Sequence, residues 1–226
     1  MDTAQPRSVE PADSRDMVGA HDMFRLHFGA LPELVRSVAD EDQARVPVIA
    51  EHVGLLASLL HGHHASEDAH VWPKLHERCP DEIQSLVATM ESQHAQIDIG
   101  LQDLEKQAQV WAQTGDPADR DALAASADRL NPALREHLEL EEGRVLRLID
   151  TYLSQAEWKE TVAASAGKLT PASGALAIGM MLDQADPDMQ ELIRAGVPDD
   201  FWAEVRPAAV AAYDGYAERV YGSARP

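Results

Sequence analysis

Two pairs of residues stand at a spacing that could hold a metal. His63 and Glu67 are four positions apart, as are His137 and Glu141. On a helix that spacing puts both side chains of a pair on one face. Imidazole nitrogens and carboxylate oxygens suit iron, manganese or zinc, and a carboxylate can span two ions. One such pair is weak support, because i,i+4 neighbours often only hydrogen-bond to each other. The pairs gain weight from the apolar residues around them.

Apolar residues recur at helical spacing in four long segments. The first stripe reads His21, Phe24, Phe28, Leu31, Val35, Val38, and the second Leu56, Leu60, His63, Glu67, Val71. The third reads Ile83, Val87, Met90, His94, Ile97, Leu101, Leu104, and the fourth Leu134, His137, Glu141, Val145, Leu148. Each stripe turns polar at one level only. Burying a polar group without a partner costs about 2–7 kcal/mol, so four helices with the same exception need one explanation. Their heights agree. In an up-down-up-down bundle, residues equidistant from a turn share a level. With turns near residues 42, 79 and 115, His21 and His63 each lie about 21 residues from the first turn. His63 and His94 lie about 16 and 15 from the second, and His94 and His137 about 21 and 22 from the third. The four imidazoles are predicted to meet in one layer, with Glu67 and Glu141 beside them.

Four helices must hold that layer. Helix A is predicted over Asp16–Ala39, before the acidic turn Asp40-Glu41-Asp42. Helix B covers Ala44–Arg78, with Pro73 kinking its end, and helix C runs from Pro80 to Gln113. The turn Thr114-Gly115-Asp116-Pro117 leads into helix D over 118–154, with a break expected at Asn131-Pro132. Residues 1–15 read as a disordered tail, 16–154 as the bundle, and 155–226 as a helical C-terminal extension of shorter pieces. Its Trp158, Trp202, Tyr213, Tyr216 and Tyr221 are expected to pack on the bundle, with a second copy or a protein partner on 170–226 as the alternative.

Composition narrows the class. Hydrophobic residues make up 45% of the 226 positions and aromatics only 5%, which favours an all-α core. A net charge of −20 repels phosphate backbones and argues against nucleic acid. One cysteine, Cys79, excludes an internal disulfide and suits a reducing compartment. There is no signal-peptide pattern, and the longest apolar run, Gly174–Leu182, is too short to span a bilayer. A cytoplasmic protein is expected.

The motifs resemble a known family. His63-His64-Ala65-Ser66-Glu67-Asp68 resembles the HHxxEE signature of hemerythrin-like (HHE cation-binding) domains, and His137-Leu138-Glu139-Leu140-Glu141-Glu142 is similar to that family's HxxxEE. His21 and Glu91-Ser92-Gln93-His94 stand where the family places its first- and third-helix histidines. The resemblance covers about 16–154, and the extension resembles that of actinobacterial hemerythrin-domain proteins. It implies an all-α, up-down-up-down four-helix bundle with additional C-terminal helices. It also implies a non-haem centre of two iron ions, Fe2+ or Fe3+ and oxo- or hydroxo-bridged, with manganese or zinc as substitutes. His21, His63, His94 and His137 would be terminal ligands and Glu67 and Glu141 the bridges. His21 and His63 would take one iron, with His64 as the candidate addition, and His94 and His137 the other. A small diatomic ligand or peroxide is the implied partner: O2, NO or peroxide, with catalase-like turnover within reach.

The chain departs from the oxygen carriers at Met90, where they place a fifth histidine one turn before His94. A thioether is a poor ligand for ferric iron, so Met90 reads as core. His64, beside His63, is the best replacement, His61 a weaker one, and Glu142 could stand in for Glu141. His27, His52, His70 and His76 read as packing or exposed histidines. Two further function classes stay open: a di-iron oxygenase or oxidase with a small organic substrate, and an iron-responsive interaction protein.

Overall fold

The computed structural model describes residues 10–79, 83–195, 199–222 and 225–226. Helix α1 spans Asp16–Arg36, α2 Arg45–His70, α3 Trp72–Arg78, α4 Gln84–Thr114 and α5 Pro117–Leu140. A π-helical turn, Glu141–Val145, joins α5 to α6, Leu146–Tyr152. The extension supplies α7 over Gln155–Ala166, α8 over Pro171–Gln184, α9 over Pro187–Ala195 and α10 over Asp199–Tyr221. The architecture is all-α, and the bundle packs in a ring: α1 on α5, α5 on α4, α4 on α2, and α2 on α1. No helix among the described residues is long and apolar enough to cross a membrane.

The sequence's punctuation explains most of the boundaries. Helix α2 stops before Val71, and Pro73 sits in the first turn of α3, where its missing N–H costs nothing. Helix α4 ends on Gly115 at φ +65°, whose N–H bonds Trp111 O; a side chain there would also strike Gln43. The start expected at Pro80 falls on residues 80–82, outside the described ones.

Two expectations are corrected. Helix α5 does not break at Asn131-Pro132 but runs through to Leu140. Leu130 and Leu134, buried on either side, hold the helix, and Asn131 Nδ2 ties it to Phe28 O at 2.9 Å. The tail expected over 1–15 holds structure over 10–15, while 1–9 lie outside the described residues. Ala12 N–H bonds Leu153 O at 3.1 Å, Gln155 N–H bonds Glu10 O at 2.9 Å, and buried Ser14 donates to Asp150 Oδ1 at 2.8 Å. Paired with 150–155, these polar residues need no apolar periodicity to be fixed.

The apolar stripes face inward. They form one cluster below the polar layer around Phe28, Leu56, Ile97 and Leu134, and a second above it around Trp72, Met90, Val145 and Ile149. The fourth stripe slips after the π turn. Leu148 was expected inside, but Ile149 is fully buried and Leu148 only partly. A π turn holds one more residue than an α turn, with Leu146 N–H reaching Glu141 O, so the inward face moves on by one.

The extension packs its aromatics on the bundle. Trp158 Nε1 donates to Asp16 Oδ1 at 2.9 Å, and Ser66 donates to Thr161 O at 2.7 Å. Gly179 lets α8 lie against the backbone of α10, since an added Cβ would sit 2.4 Å from Ala209 O. Helix α10 brings its tyrosines onto two fully buried histidines. His52 Nδ1 meets Tyr216 OH at 2.8 Å, and its Nε2 meets Tyr221 OH at 2.8 Å; Tyr221 OH also meets His27 Nδ1 at 2.7 Å. Burial depresses His27 to about 4, and burial followed by the charge of His27 takes His52 to about 3. Both rings are therefore neutral at pH 7, each with one donor and one acceptor nitrogen. Tyr221→Phe removes a hydroxyl from two buried imidazoles. It should cost about 1–3 kcal/mol in urea denaturation, and an unchanged midpoint would show the seam to be loose.

Candidate metal centre

Helix α1 carries His21, α2 carries His63, His64 and Glu67, α4 carries His94, α5 carries His137, and Glu141 opens the π turn. These side chains converge in the layer between the two apolar clusters, and His21, Glu67, His137 and Glu141 are at most 1% exposed. Their potential ligand atoms form two groups, each within 4.8 Å: His64, His94 and His137, and His21, His63, Glu67 and Glu141. The carboxylates join the groups. Glu67 Oε1 lies 3.1 Å from His63 Nε2, and Oε2 lies 3.4 Å from His94 Nε2. Glu141 Oε2 lies 3.5 Å from both His21 Nε2 and His137 Nε2. Each carboxylate thus faces one imidazole of either group.

These contacts are close, but most are not hydrogen bonds. Both oxygens of Glu67 and of Glu141, and Nε2 of His64, His94 and His137, are buried without a hydrogen-bond partner. Orphaned polar atoms at this density are foreign to a native core. Burial, more than any neighbour, depresses His21, His63 and His64 and takes His137 to about 3; Nε2 of His64 and His137 is left free, while those of His21 and His63 meet each other at 3.2 Å. Burial, then the charge of Glu141, pushes Glu67 well above the usual carboxylate range. Burial, then the charge of Glu142, pushes Glu141 up to about 8. Neutral imidazoles and carboxylates that resist ionising alone are the donor set that a cation satisfies. The residues fit a metal.

The hemerythrin HHE cation-binding domain profile matches residues 13–149, more than half of the chain. The chain belongs to this hemerythrin family. No curated protein and no solved structure gives a significant match. In this hemerythrin domain, His64 is the histidine that joins His94 and His137, with its ring stacked on His94 at 4.1 Å between centroids. The sequence offers His64 as an addition to His21 and His63; its ring nitrogens lie instead with those of His94 and His137. Met90 is fully buried in the upper apolar cluster, and His61 is exposed beside Asp98.

Glu142 does not join the hemerythrin centre, which corrects its candidacy as a ligand. Its Oε1 accepts from Arg25 at 2.7 Å and meets His21 Nδ1 at 2.8 Å. Burial works to raise Glu142, but these bonds win and hold it below the usual carboxylate range. Asp68 plays the same part on the other side. Its Oδ1 meets His94 Nδ1 at 2.7 Å and accepts from Trp72 Nε1 at 2.9 Å. Gln93 Oε1 lies 3.3 Å from His137 Nδ1. These bonds take the Nδ1 side of three rings and turn Nε2 inward. Sequence reasoning missed Asp68, Gln93 and Arg25 in this role. Asp68 and Glu142 could have been found, because each directly follows an inward glutamate.

Glu141→Gln separates the cost of the buried charge from its use. A carboxyl whose folded value is raised binds its proton more tightly in the folded state. Its contribution is present below about pH 4.5 and lost as the pH rises to about 8. Chelator-treated Glu141→Gln should therefore be more stable than treated wild type at pH 8, by roughly 2–4 kcal/mol, and equal to it near pH 4. Urea midpoints across that range measure it; parallel pH profiles for the two proteins would contradict the buried-charge account.

Proposed function

We propose that this chain holds two iron ions and uses them to bind or react with O2, peroxide or NO. His64, His94 and His137 would hold one ion and His21 and His63 the other, with Glu67 and Glu141 bridging; manganese or zinc could substitute. The observation that carries this reading is that each buried carboxylate faces one imidazole of each group. The iron pair would supply electrons and a coordination position for the small ligand. The imidazole count is unequal, so the side of His21 and His63 has more room for it.

The chain's own residues keep the site dry and oriented. Phe24 lies 5.4 Å from His63, ring to ring, and Leu60, Met90 and Ile97 are buried around the layer. Asp68 and Glu142 fix His94 and His21 through Nδ1. A surface cleft reaches His64 and His94, but it is walled by Asp68, Glu91 and Asp98. Its polar groups are acids and imidazoles, and among the described residues no hydroxyl or amide side chain lines it to orient an organic substrate, which favours the small-ligand reading over an oxygenase. The single thiol, Cys79, is free and buried, which suits a reducing, cytoplasmic setting.

Metal analysis of the purified protein should give two ions per chain. His137→Ala should lose about one of them. Full retention in that variant would remove His137 from the ligand set. Iron-loaded protein, reduced without air and then given peroxide, should change its near-ultraviolet and visible absorption. A flat response with iron bound would remove the redox part of the reading.

A further inference from the structure

One cleft on the bundle leads to the metal layer, and its chemistry is unlike that of the other approaches. It lies between α2 and α4 and has a volume of about 370 Å3. Its floor includes His64 and His94, both at least 95% buried, whose Nε2 atoms have no hydrogen-bond partner. Its walls carry Asp68, Glu91 and Asp98, each roughly half exposed, and no lysine or arginine lines it. The two outer carboxylates are only loosely engaged by imidazoles: His61 Nδ1 lies 3.2 Å from Asp98, which also accepts from Gln102 at 2.8 Å, and His76 Nε2 lies 3.7 Å from Glu91.

The other sides of the layer suit a cation less, although His63 keeps 13% of its side chain exposed. Towards His21 the way is covered by Arg25, whose fixed positive charge is bonded to Glu142 at 2.7 Å. Above the layer lie Trp72, Met90 and Val145, and below it Leu60, Phe24 and Ile97, all buried. A hydrated ion would have to shed its water against hydrocarbon there. In the cleft it meets carboxylates first and imidazoles behind them, and low-dielectric walls concentrate the negative field of an already acidic chain.

We infer that this cleft is the port through which a divalent cation reaches the centre: Glu91 and Asp98 attract it, Asp68 receives it, and His64 and His94 take it. The inference rests on the two-ion reading above. Carboxylate oxygens hold a hydrated divalent ion weakly and exchange it quickly, whereas buried imidazole nitrogens hold it once its water is lost. Asp68 stands at the boundary, half exposed on one side and bonded to His94 on the other. A port must attract and release, and a ligand set must retain; the two kinds of donor are arranged in that order.

The test is the rate of Co2+ uptake by chelator-treated full-length protein, followed by cobalt absorption after rapid mixing at low ionic strength. Glu91→Gln with Asp98→Asn should slow uptake by about five- to tenfold and flatten its dependence on salt, with the final cobalt content unchanged. Asp98→Lys should slow it further. Glu204→Gln with Asp188→Asn, which removes the same charge from the exposed surface of α9 and α10, should load at the wild-type rate. Uptake by the Glu91/Asp98 variant at the wild-type rate would overturn the port. So would a lowered cobalt end point, which would make these carboxylates ligands. A wild type that takes up no Co2+ at all would instead bring down the metal centre itself, and the port with it.

Discussion

Two carboxylates buried side by side set the terms for the rest of this bundle. Glu67 and Glu141 are sealed from solvent in the middle of a helical core, and each raises the cost of ionising the other or is raised by an acid beside it. Hydrocarbon cannot stabilise them, and no arginine or lysine reaches them. What surrounds them is a ring of imidazoles, and burial keeps His21, His63 and His137 from supplying the missing positive charge. The core is therefore complete only with a positive ion in it, and the folding energy of this region is tied to metal affinity.

The helices absorb that demand through local devices. The π turn begins at Glu141 itself. The extra residue lets Glu141 face the layer while Glu142 turns to His21 and Arg25, and it brings Ile149 rather than Leu148 onto the upper core. On α2, ordinary helical geometry gives a matching result: Glu67 faces in, and Asp68 reaches across to His94 and accepts from Trp72, one turn further along the chain. Both inward glutamates are thus followed by an acid that positions an imidazole from another helix. One acid of each pair, Asp68 or Glu142, keeps its charge at the rim through hydrogen bonds, while burial pushes its inward neighbour, Glu67 or Glu141, towards the protonated form until a cation compensates it.

Much of this was legible in the sequence because helical periodicity is strict. A single polar level in four apolar stripes, at matching distances from the turns, located the layer and its main residues before any coordinates. Less legible were features that depend on sub-turn rotation. His64 differs from His63 by one position, and only the twist of α2 against α4 places it with His94 and His137. The π turn has no signature in residue type: the face through Glu142 that ends on Ile149 was only the alternative in the sequence, and the turn takes Glu141 from one face and Ile149 from the other. Residues 10–15 were read as a tail because their partners, Asp150, Leu153 and Gln155, are distant in sequence and bind through polar groups. Pro132 shows the opposite error, a local breaker overruled by packing on both sides.

The seam beneath α10 shows why burial alone does not mark a metal site. His27 and His52 are as deeply buried as His21 and His137, and burial keeps them neutral in the same way. The sequence set His27 and His52 apart as packing or exposed histidines, and both are fully buried. Their partners separate them from the layer. Three of the four ring nitrogens at the seam meet a tyrosine hydroxyl, a group that can donate or accept and so suits either tautomer. In the layer the nitrogens point instead at carboxylates and at one another, and seven buried atoms are left without a hydrogen bond. A hydroxyl settles a neutral imidazole and closes a core; a second imidazole and a shared carboxylate leave a charge deficit. That deficit, rather than the histidines as such, separates a centre that must take an ion from a seam that holds the extension in place.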